Sequence, residues 1–302
     1  MIKNKIAGAL YGMAIGDAMG MPSELWNRRR VKRFFGRIET FLDGPQENDA
    51  AKYFRVGQFT DDTSQAIVLL DSLFENDFIP DERIVANKLI DWAYKIDAFS
   101  KNILGPSSKA ALTAIKNNQD PEPFTSTALT NGAAMRIAPI GCLFTPQEKD
   151  EMKRFIVTLS KATHSTDVAF GGAAMIATAV SAAIEDYTWD EIMAEAASIY
   201  SVASEEGAET FSASLIERLQ LGIKLADQYK DDEEAFSQKI YDLVGAGTMT
   251  SESVPAALAM AYYAKDPCRC ALLCANLVGD TDTIGAMSTA ICGAKYGFKS
   301  LD

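Results

Sequence analysis

The sequence predicts an all-α fold, arranged as one compact multi-helix domain over residues 1–302. Three observations lead to this prediction. Apolar residues recur near helical spacing, for example through residues 84–96. Alternating, strand-like runs are nearly absent, and the best of them, residues 155–160, lies inside a helical pattern. No linker rich in Pro, Gly and Ser divides the chain, and no repeat of 20–50 residues is visible.

The first predicted helix, residues 3–19, carries glycine at a regular spacing. Gly8, Gly12 and Gly16 recur every four residues, so they would share one face and allow another helix backbone to approach closely. A basic start before an apolar run also resembles a signal peptide. Because the run is Gly-rich and Asp17 follows soon after, a buried helix is favoured.

Several of the following helices have clear start signals. Helix 63–76 follows Thr and Asp in capping positions, and helix 80–97 opens with Pro and two acids. Helix 166–184 contains the longest uncharged run, which falls short of the roughly 20 apolar residues that span a bilayer. Helix 188–205 opens with a pattern that resembles a capping box. The remaining helices are predicted at residues 107–117, 145–162, 208–228, 231–244, 253–264, 267–278 and 283–296.

Composition limits the partners and the compartment. The chain has 29 Lys and Arg against 41 Asp and Glu, a net charge of −12, which argues against a nucleic acid or an anionic membrane as partner. The five cysteines lie mostly in apolar helical context, so reduced thiols in a cytoplasmic protein are expected. Cys268, Cys270 and Cys274 suggest a soft-metal site only weakly, because neither a second cysteine pair nor a histidine is near them.

Two acidic stretches carry the main chemical signal. Residues 57–65 (GQFTDDTSQ) and 277–286 (LVGDTDTIGA) each place Thr and Asp directly before an apolar run. Helix capping alone accounts for either stretch. If the fold brings them together, however, four carboxylates lie in one place and raise each other's pKa unless a cation neutralises them: Asp61, Asp62, Asp280 and Asp282. Because all-oxygen ligands favour Mg²⁺, Mn²⁺ or Ca²⁺, the hypothesis is a divalent metal site, with room for two ions.

Three further stretches are open to two interpretations. Residues 16–24 form either a plain helix end with a turn at Pro22 or, through Asp17 and Glu24, part of a cleft wall. Asn131-Gly132 is a turn signal before a short helix that Pro139 is expected to stop, and such a turn can also present N–H groups to a phosphate.

The third of these stretches contains the single histidine. His164, in residues 163–167 (THSTD), is either structural or catalytic, and the polar residues after it are suitable caps for the next helix. Two long loops, residues 43–59 and 118–131, are expected to border the functional site.

These stretches together resemble the ADP-ribosylglycohydrolase family, which includes the dinitrogenase-reductase-activating glycohydrolases and the ADP-ribosyl-acceptor hydrolases. The matching pieces run in the family's order from residue 8 to residue 297: GALYGMAIGDAMGMPSE, GQFTDDTSQ, NGAAMRIAPIG, THSTD, GDTDTIGA and GAKYG. The resemblance implies an all-α fold with a dinuclear cleft that holds two Mg²⁺ or Mn²⁺ ions.

The resemblance also implies roles for individual residues. The metal ligands it implies are Thr60, Asp61, Asp62, Asp280, Asp282 and Thr283. Glu24 matches an acid beside the metals on a mobile loop, and with Asp61, Asp62 and Asp282 it makes up the expected catalytic set. Asn131 and Gly132 match a loop that holds a diphosphate, and His164 matches a histidine of the substrate cleft.

This chain departs from the family pattern at two positions. Thr130 stands before Asn131, and Val278 before Gly279, where the family often has glycine. We expect Thr130 to stiffen the phosphate loop and Val278 to affect packing more than chemistry.

The function expected from this sequence is metal-assisted hydrolysis of the glycosidic bond at ribose C1, in an ADP-ribosylated protein or a small ADP-ribose conjugate. Three alternatives remain open. They are an N-glycosidase that acts on a smaller, nucleoside-like substrate, a non-catalytic ADP-ribose-binding or crystallin-like protein, and a two-metal phosphohydrolase. The expected state is a cytoplasmic monomer with no nucleic-acid or membrane partner.

Overall fold

The computed structural model describes residues 1–101 and 103–301, and these are built almost entirely of helices. Within them, extended backbone pairs only in two isolated bridges, Thr130 with Met249 and Thr166 with Ala208. The all-α prediction is therefore confirmed. Its single main core takes residues from helices at both ends of the chain.

Fifteen α-helices follow one another in the described residues. They are α1 (Ile2–Gly20), α2 (Arg28–Phe35), α3 (Asp61–Glu75), α4 (Glu82–Lys95), α5 (Pro106–Lys116), α6 (Glu122–Thr125), α7 (Ala138–Gly141), α8 (Lys149–Ser160), α9 (Asp167–Ile184), α10 (Trp189–Ser204), α11 (Leu215–Gln228), α12 (Glu233–Lys239), α13 (Thr250–Ala264), α14 (Pro267–Ala275) and α15 (Thr281–Tyr296). Short 3₁₀ turns occupy Met21–Ser23 and Phe298–Ser300, and a π-helical turn, Ile240–Val244, continues α12.

Helices α1 and α15 pack against each other with their backbones in direct contact. A Cβ atom at Gly12 would lie 2.5 Å from the carbonyl oxygen of Thr289, and one at Gly16 would lie 2.1 Å from that of Gly285. The four-residue glycine spacing therefore has the predicted role. Because these contacts run in opposite directions along the two helices, the end of α1 lies beside the start of α15.

Helix α9 is the most enclosed helix of the core. Its 18 residues have a mean hydropathy of 1.6, enough in length and composition to cross a membrane, but 94% of them are buried inside the protein. Helices α7, α8, α10, α13 and α15 pack around it. Its apolar residues are therefore accounted for by burial against other helices.

Several sequence-based helix boundaries were wrong by three residues or more, and two of them have a clear physical reason. Pro139 does not stop a helix: residues 131–136 form turns, and Pro139 lies in the first turn of α7, where its missing N–H costs nothing. The helix predicted at residues 208–228 begins only at Leu215. Ser214 caps it by accepting a hydrogen bond from the Glu217 N–H. Before that cap, Ala208 bonds back to Ser165, which holds the preceding segment outside the helix.

Helix α2 was not predicted, and it places a cluster of positive charges on the surface of an acidic protein. Asn27 caps it by accepting from the Arg30 N–H at 3.0 Å. Its eight residues, RRRVKRFF, contain five cations and no acid. Arg28 pairs with Glu234 at 3.2 Å. The acidic protein therefore carries a local basic surface, which the net charge alone did not reveal.

Candidate metal centre and substrate cavity

The two acidic stretches meet at one place in the fold. Asp61 and Asp62 stand in the first turn of α3, Asp280 occupies the N-cap position of α15, and Asp282 lies in the first turn of α15. The Thr60 hydroxyl lies 3.4 Å from Asp282 Oδ2, across 222 positions of sequence. The antiparallel packing of α1 on α15 produces this meeting, because the end of α1 also contacts the start of α3.

Asp17 is the link between α1 and α3, and the sequence-based site did not include it. Its Oδ1 accepts from the Thr60 N–H at 2.8 Å and from the Thr60 hydroxyl at 2.9 Å. Its Oδ2 accepts from the Thr63 N–H at 3.0 Å and from the Thr63 hydroxyl at 2.6 Å. Both oxygens are therefore occupied, and this fully buried carboxylate holds the start of α3 in place. The one available signal was an Asp inside an otherwise apolar helix.

Two groups of three acids could each hold a metal ion. One is Asp17, Asp62 and Asp282, and the other is Glu24, Asp280 and Asp282; within each group the ligand atoms lie within 4.8 Å of one another. Asp282 belongs to both groups. Since Asp17 already accepts four hydrogen bonds from Thr60 and Thr63, its role in the first group is to hold these two residues, and with them the intervening Asp62.

The residues present fit a hard divalent cation. Among the described residues, Asp62 Oδ1 and Asp282 Oδ1 are buried and have no hydrogen-bond partner. A buried carboxylate oxygen without a donor is costly unless a cation is close to it. The surrounding donors are carboxylates and Thr hydroxyls, which suit Mg²⁺ or Mn²⁺ and not soft metals.

Burial raises the pKa of every acid in this cluster. Burial is the largest cause in each case, and the neighbouring carboxylates add to it for Glu24, Asp61, Asp62 and Asp282. The pKa rises to about 6 for Asp17 and Asp280 and to about 7 for Asp61. The pKa of Glu24, Asp62 and Asp282 rises well above the ordinary range. A bound cation is the change that would let them all ionise at neutral pH.

Neighbouring side chains orient the acids of α15. The Thr283 side chain favours the ionised forms of Asp62 and Asp280 and so lowers the pKa of both carboxyls. The Asn131 amide donates to Asp280 Oδ2 and, at 3.0 Å, to Ser253 Oγ. The Asn131 backbone N–H donates to Thr248 O at 3.0 Å. Asn131 therefore lies in the cavity wall, and its side-chain amide and backbone N–H are bonded within the protein.

Gln65 and Arg136 extend the cluster on the α3 side, and sequence reasoning missed both. The Gln65 amide donates to Asp61 Oδ2 at 2.9 Å, and Arg136 Nη1 donates to Gln65 Oε1 at 2.7 Å. Arg136 is fully buried, and its charge favours the ionised form of Asp61. The one sign of this role in the sequence was a charged residue, Arg136, inside the otherwise uncharged run AAMRIAPIG.

His164 lies behind the cavity wall and not in it. Its ring is 1% exposed and packs on Gly132, where a Cβ atom would lie 2.5 Å from the ring's Cε1. Nε2 lies 3.1 Å from Thr130 Oγ1, and Nδ1 lies 2.9 Å from Thr163 Oγ1. The resemblance implied a histidine of the substrate cleft, and in this structure the ring contacts Thr130 and Gly132, which line the cavity.

A cavity of about 610 Å³ opens above the acids. Both predicted loops border it, through Asp49 and Ala50 and through Thr130 and Asn131, which confirms that expectation. Two further segments, which the sequence did not indicate, complete the wall: residues 103–108 and the pair Thr248 and Met249.

The segment that carries Glu24 is fixed to the segment before Asp280. The Glu24 carbonyl accepts from Asn48 Nδ2 at 2.9 Å, and the Leu25 N–H donates to Gly279 O at 2.7 Å. Val278 packs with Trp26 as expected, but it also has φ +82°, a conformation that strains a β-branched residue. The family's glycine at this position would be free of that strain.

Replacement of Asp17 by Asn is expected to lower kcat/KM by about 10- to 100-fold, the usual effect of losing a residue that orients metal ligands. Asn offers one acceptor oxygen and one NH₂ group where α3 presents donors to both oxygens, so the start of α3 would shift. The measurement is kcat/KM and the metal midpoint of activity, with circular dichroism as the folding control. Unchanged metal dependence would contradict this role.

Comparisons with known proteins agree with this geometry. The family model described as ADP-ribosylglycohydrolase matches residues 1–302. The chain is 49% identical over 303 residues to the "Uncharacterized protein YegU" of Escherichia coli K12, covering 100% of this chain and 90% of that protein. It is 28% identical to the ADP-ribosylarginine hydrolase Tri1 of Pseudomonas putida, over 99% of this chain and 72% of Tri1.

More distant relatives give the same result. The mouse ADP-ribosylhydrolase ARH3 is 23% identical, over 99% of this chain and 85% of ARH3. A solved structure, described as an "ADP-ribosylglycohydrolase-related protein complex", superposes with a TM-score of 0.70 at 21% identity, over 100% of this chain and 90% of that one. This similarity shows the fold, while the family match covers every residue of the sequence. The chain belongs to the ADP-ribosylglycohydrolase family.

Proposed function

We propose that this protein is a metal-dependent glycohydrolase that cleaves the glycosidic bond at ribose C1 of an ADP-ribosylated protein or a small ADP-ribose conjugate. The observation that carries the proposal is the position of Asp282. It belongs to both sets of three acids that could hold a metal ion, and its buried Oδ1 has no hydrogen-bond partner among the described residues. It lies at the base of a cavity of a size ordinary for small-molecule ligands. The ADP-ribosyl hydrolases among the relatives support the choice of substrate class.

The residues would share the work as follows. The metal ions would be held by Thr60, Asp61, Asp62, Asp280, Asp282 and Thr283. When bound, two Mg²⁺ or Mn²⁺ ions supply Lewis acidity and sites for the vicinal hydroxyls of the ribose. Glu24, which lies beside Asp280 and Asp282 in the cavity wall, would accept the proton of the attacking water, and that proton would pass to the leaving atom as its bond to C1 breaks. An oxocarbenium-like centre at C1 would be stabilised by the surrounding carboxylates.

A second candidate is an N-glycosidase that acts on a nucleoside-like substrate. It is favoured by one observation: the amide and the N–H of Asn131 are bonded within the protein, so they are not available for a diphosphate. This candidate uses the same metal site and the same bond at C1. It differs only in what fills the outer part of the cavity.

The proposed setting is a cytoplasmic monomer. Cys142, Cys270, Cys274 and Cys292 are free thiols, and the last three are buried, which is usual for a reducing compartment. Burial raises the pKa of Cys142 to about 12 and the pKa of Cys270 and of Cys274 well above the ordinary range. The thiols of Cys142, Cys270 and Cys274 are therefore unreactive.

The test is incubation with Mg²⁺ or Mn²⁺ and a panel of Arg- and Ser-linked ADP-ribosyl peptides and free nucleosides, followed by identification of the products by mass. We expect release of free ADP-ribose from at least one conjugate, and none in EDTA. Release of ribose from nucleosides alone would favour the second candidate. Release of phosphate would indicate a phosphohydrolase, and no product from any substrate would refute catalysis.

A further inference from the structure

A chain of buried hydrogen bonds connects the metal cluster with the cavity wall. From Asp61 it passes through Gln65 to Arg136 Nη1, and from Arg136 Nη2 to Thr163 Oγ1 at 2.7 Å. It continues through His164 and ends at Thr130 Oγ1. Gln65, Arg136, Thr163 and His164 are each no more than 1% exposed, whereas Thr130 is partly exposed and lines the cavity. The last hydroxyl of the chain is therefore the one that a ligand can reach.

The donors in this chain have a fixed direction, because a guanidinium can only donate. Arg136 Nη2 donates to Thr163 Oγ1, so the Thr163 hydrogen must point elsewhere. His164 Nδ1 lies 2.9 Å from this hydroxyl, and the other acceptor within reach, Ser160 O, lies 3.5 Å away. The contact with Nδ1 is the shorter of the two, which favours donation from the Thr163 hydroxyl to an unprotonated Nδ1.

The charge of Arg136 favours the same arrangement of the imidazole. Burial, with a further contribution from Arg136, lowers the pKa of His164 to about 3, so the ring is neutral at working pH. In a neutral ring the proton is more stable on the nitrogen that faces away from the cation, which is Nε2. Nε2–H then donates to Thr130 Oγ1, and the hydrogen of Thr130 is left to point into the cavity.

We propose that the Thr130 hydroxyl donates a hydrogen bond to an anionic oxygen of the substrate, a phosphate oxygen, and so contributes to its selection. The buried Arg136 sets the direction of this bond through Thr163 and His164. The backbone keeps Thr130 in place, because its two neighbours bond to the facing segment: Leu129 O accepts from the Thr250 N–H at 2.9 Å, and the Asn131 N–H donates to Thr248 O at 3.0 Å. This inference rests on the proposed function.

This role also accounts for two features that the sequence left open. His164 does not reach the cavity, so a donor on that wall has to be supplied by the residue in front of it. Thr130, which stands where the family often has glycine, takes that place. The glycine at position 132 is needed as well, because a side chain there would collide with the His164 ring.

The first arm of the test is the tautomer of His164, measured by ¹⁵N NMR on protein labelled in histidine. The chain has a single histidine, so both ring-nitrogen signals belong to His164, and their couplings to Hδ2 and Hε1 distinguish Nε2 from Nδ1. We expect a proton on Nε2, none on Nδ1, and no titration between pH 5 and pH 8. A proton on Nδ1, or titration within that range, would overturn the direction of the chain.

The second arm is the affinity for free ADP-ribose in Mg²⁺, measured by calorimetry. Thr130→Val keeps the shape and removes the donor, and we expect its Kd to rise about tenfold or more, as for a lost bond to a charged group. Thr130→Ser keeps the donor and should bind within about threefold of the wild type. The His164 signals should be unchanged in Thr130→Ser.

The outcomes separate this inference from the proposed function. If the wild type binds ADP-ribose and Thr130→Val binds equally well, the inference is wrong while the function stands. If Thr130→Ser is as weak as Thr130→Val, the hydroxyl is not the selecting group and the inference is again wrong. If the wild type binds no ADP-ribose, the proposed substrate class fails and the inference fails with it.

Discussion

The substitution Asp282→Asn is expected to lower kcat/KM by at least about a hundredfold, because even residues that only orient metal ligands contribute 10- to 100-fold. Asp282 is the acid shared by the two groups, and its Oδ1 has no hydrogen-bond partner among the described residues. An amide in its place removes one negative charge from both groups at once. The measurement is steady-state kinetics with the substrate found in the panel, at saturating Mg²⁺ and Mn²⁺.

The stability of the same variant distinguishes a lost ligand from a damaged fold. Without metal, Asp282 is repelled by Glu24 and Asp62, so its removal should raise the Tm of the EDTA-treated protein. The matched control is Asp91→Asn, an exposed position on α4, which should change neither Tm nor activity. A variant that is inactive and also less stable than the wild type in EDTA would point to misfolding and would contradict this interpretation.

The stability of the metal-free protein should increase as the pH falls from 8 to 5. Asp17 and Asp280 have a pKa of about 6 and Asp61 one of about 7, all above their unfolded values. The folded state therefore binds more protons than the unfolded state in this range. The stability contributed by these groups is fully present below the unfolded pKa of roughly 4 and is lost as the pH rises through 6 to 7.

His164 lowers the stability as the pH falls, but it is one group, whereas six acids of the cluster have a raised pKa. Its folded pKa of about 3 lies below the unfolded value of 6.5, so its contribution is lost as the pH falls below 6.5. We therefore expect the Tm in EDTA to be higher at pH 5 than at pH 8 by roughly 5 °C or more.

In saturating Mn²⁺ we expect the opposite order, with a higher Tm at pH 8 than at pH 5. At pH 8 the ions bind ionised carboxylates and add about 2.7 kcal/mol at a hundred times Kd, whereas at pH 5 protons compete with them. The measurement is a thermal-denaturation series over pH, with and without metal. The interpretation that these clustered acids repel one another without metal and bind a cation would be contradicted by two results together. The Tm in EDTA would not depend on pH, and the Tm at pH 8 would not rise with Mn²⁺.

The sequence predicted much of this site because its acids occupy helix starts, where local signals are strong. Asp61, Asp62, Asp280 and Asp282 stand beside Thr residues and before apolar runs, and each pattern is readable without the fold. The four-residue spacing of Gly8, Gly12 and Gly16 indicated the close contact of α1 with another helix. The sequence did not show which helix packs against α1, because a face of glycines allows close packing without specifying α15.

The residues that were missed or misplaced act through tertiary contacts. Asp17 was visible as an acid in an apolar helix, but its four bonds to Thr60 and Thr63 depend on how α1 meets α3. His164 was expected to line the cleft, and only the fold shows Thr130 in front of it. Pro139 was misassigned because the same residue can end one helix or begin the next.

The central claim is that acids from the opening part and the tail of the chain share two bound cations. Anomalous diffraction from a crystal soaked in Mn²⁺ tests it most directly. We expect two peaks about 3.5–4 Å apart, the usual spacing of a two-metal site, with Asp282 coordinating both, Asp62 on one side and Asp280 on the other. No peak within coordination distance of Asp282, with manganese bound only at surface carboxylates, would contradict the account.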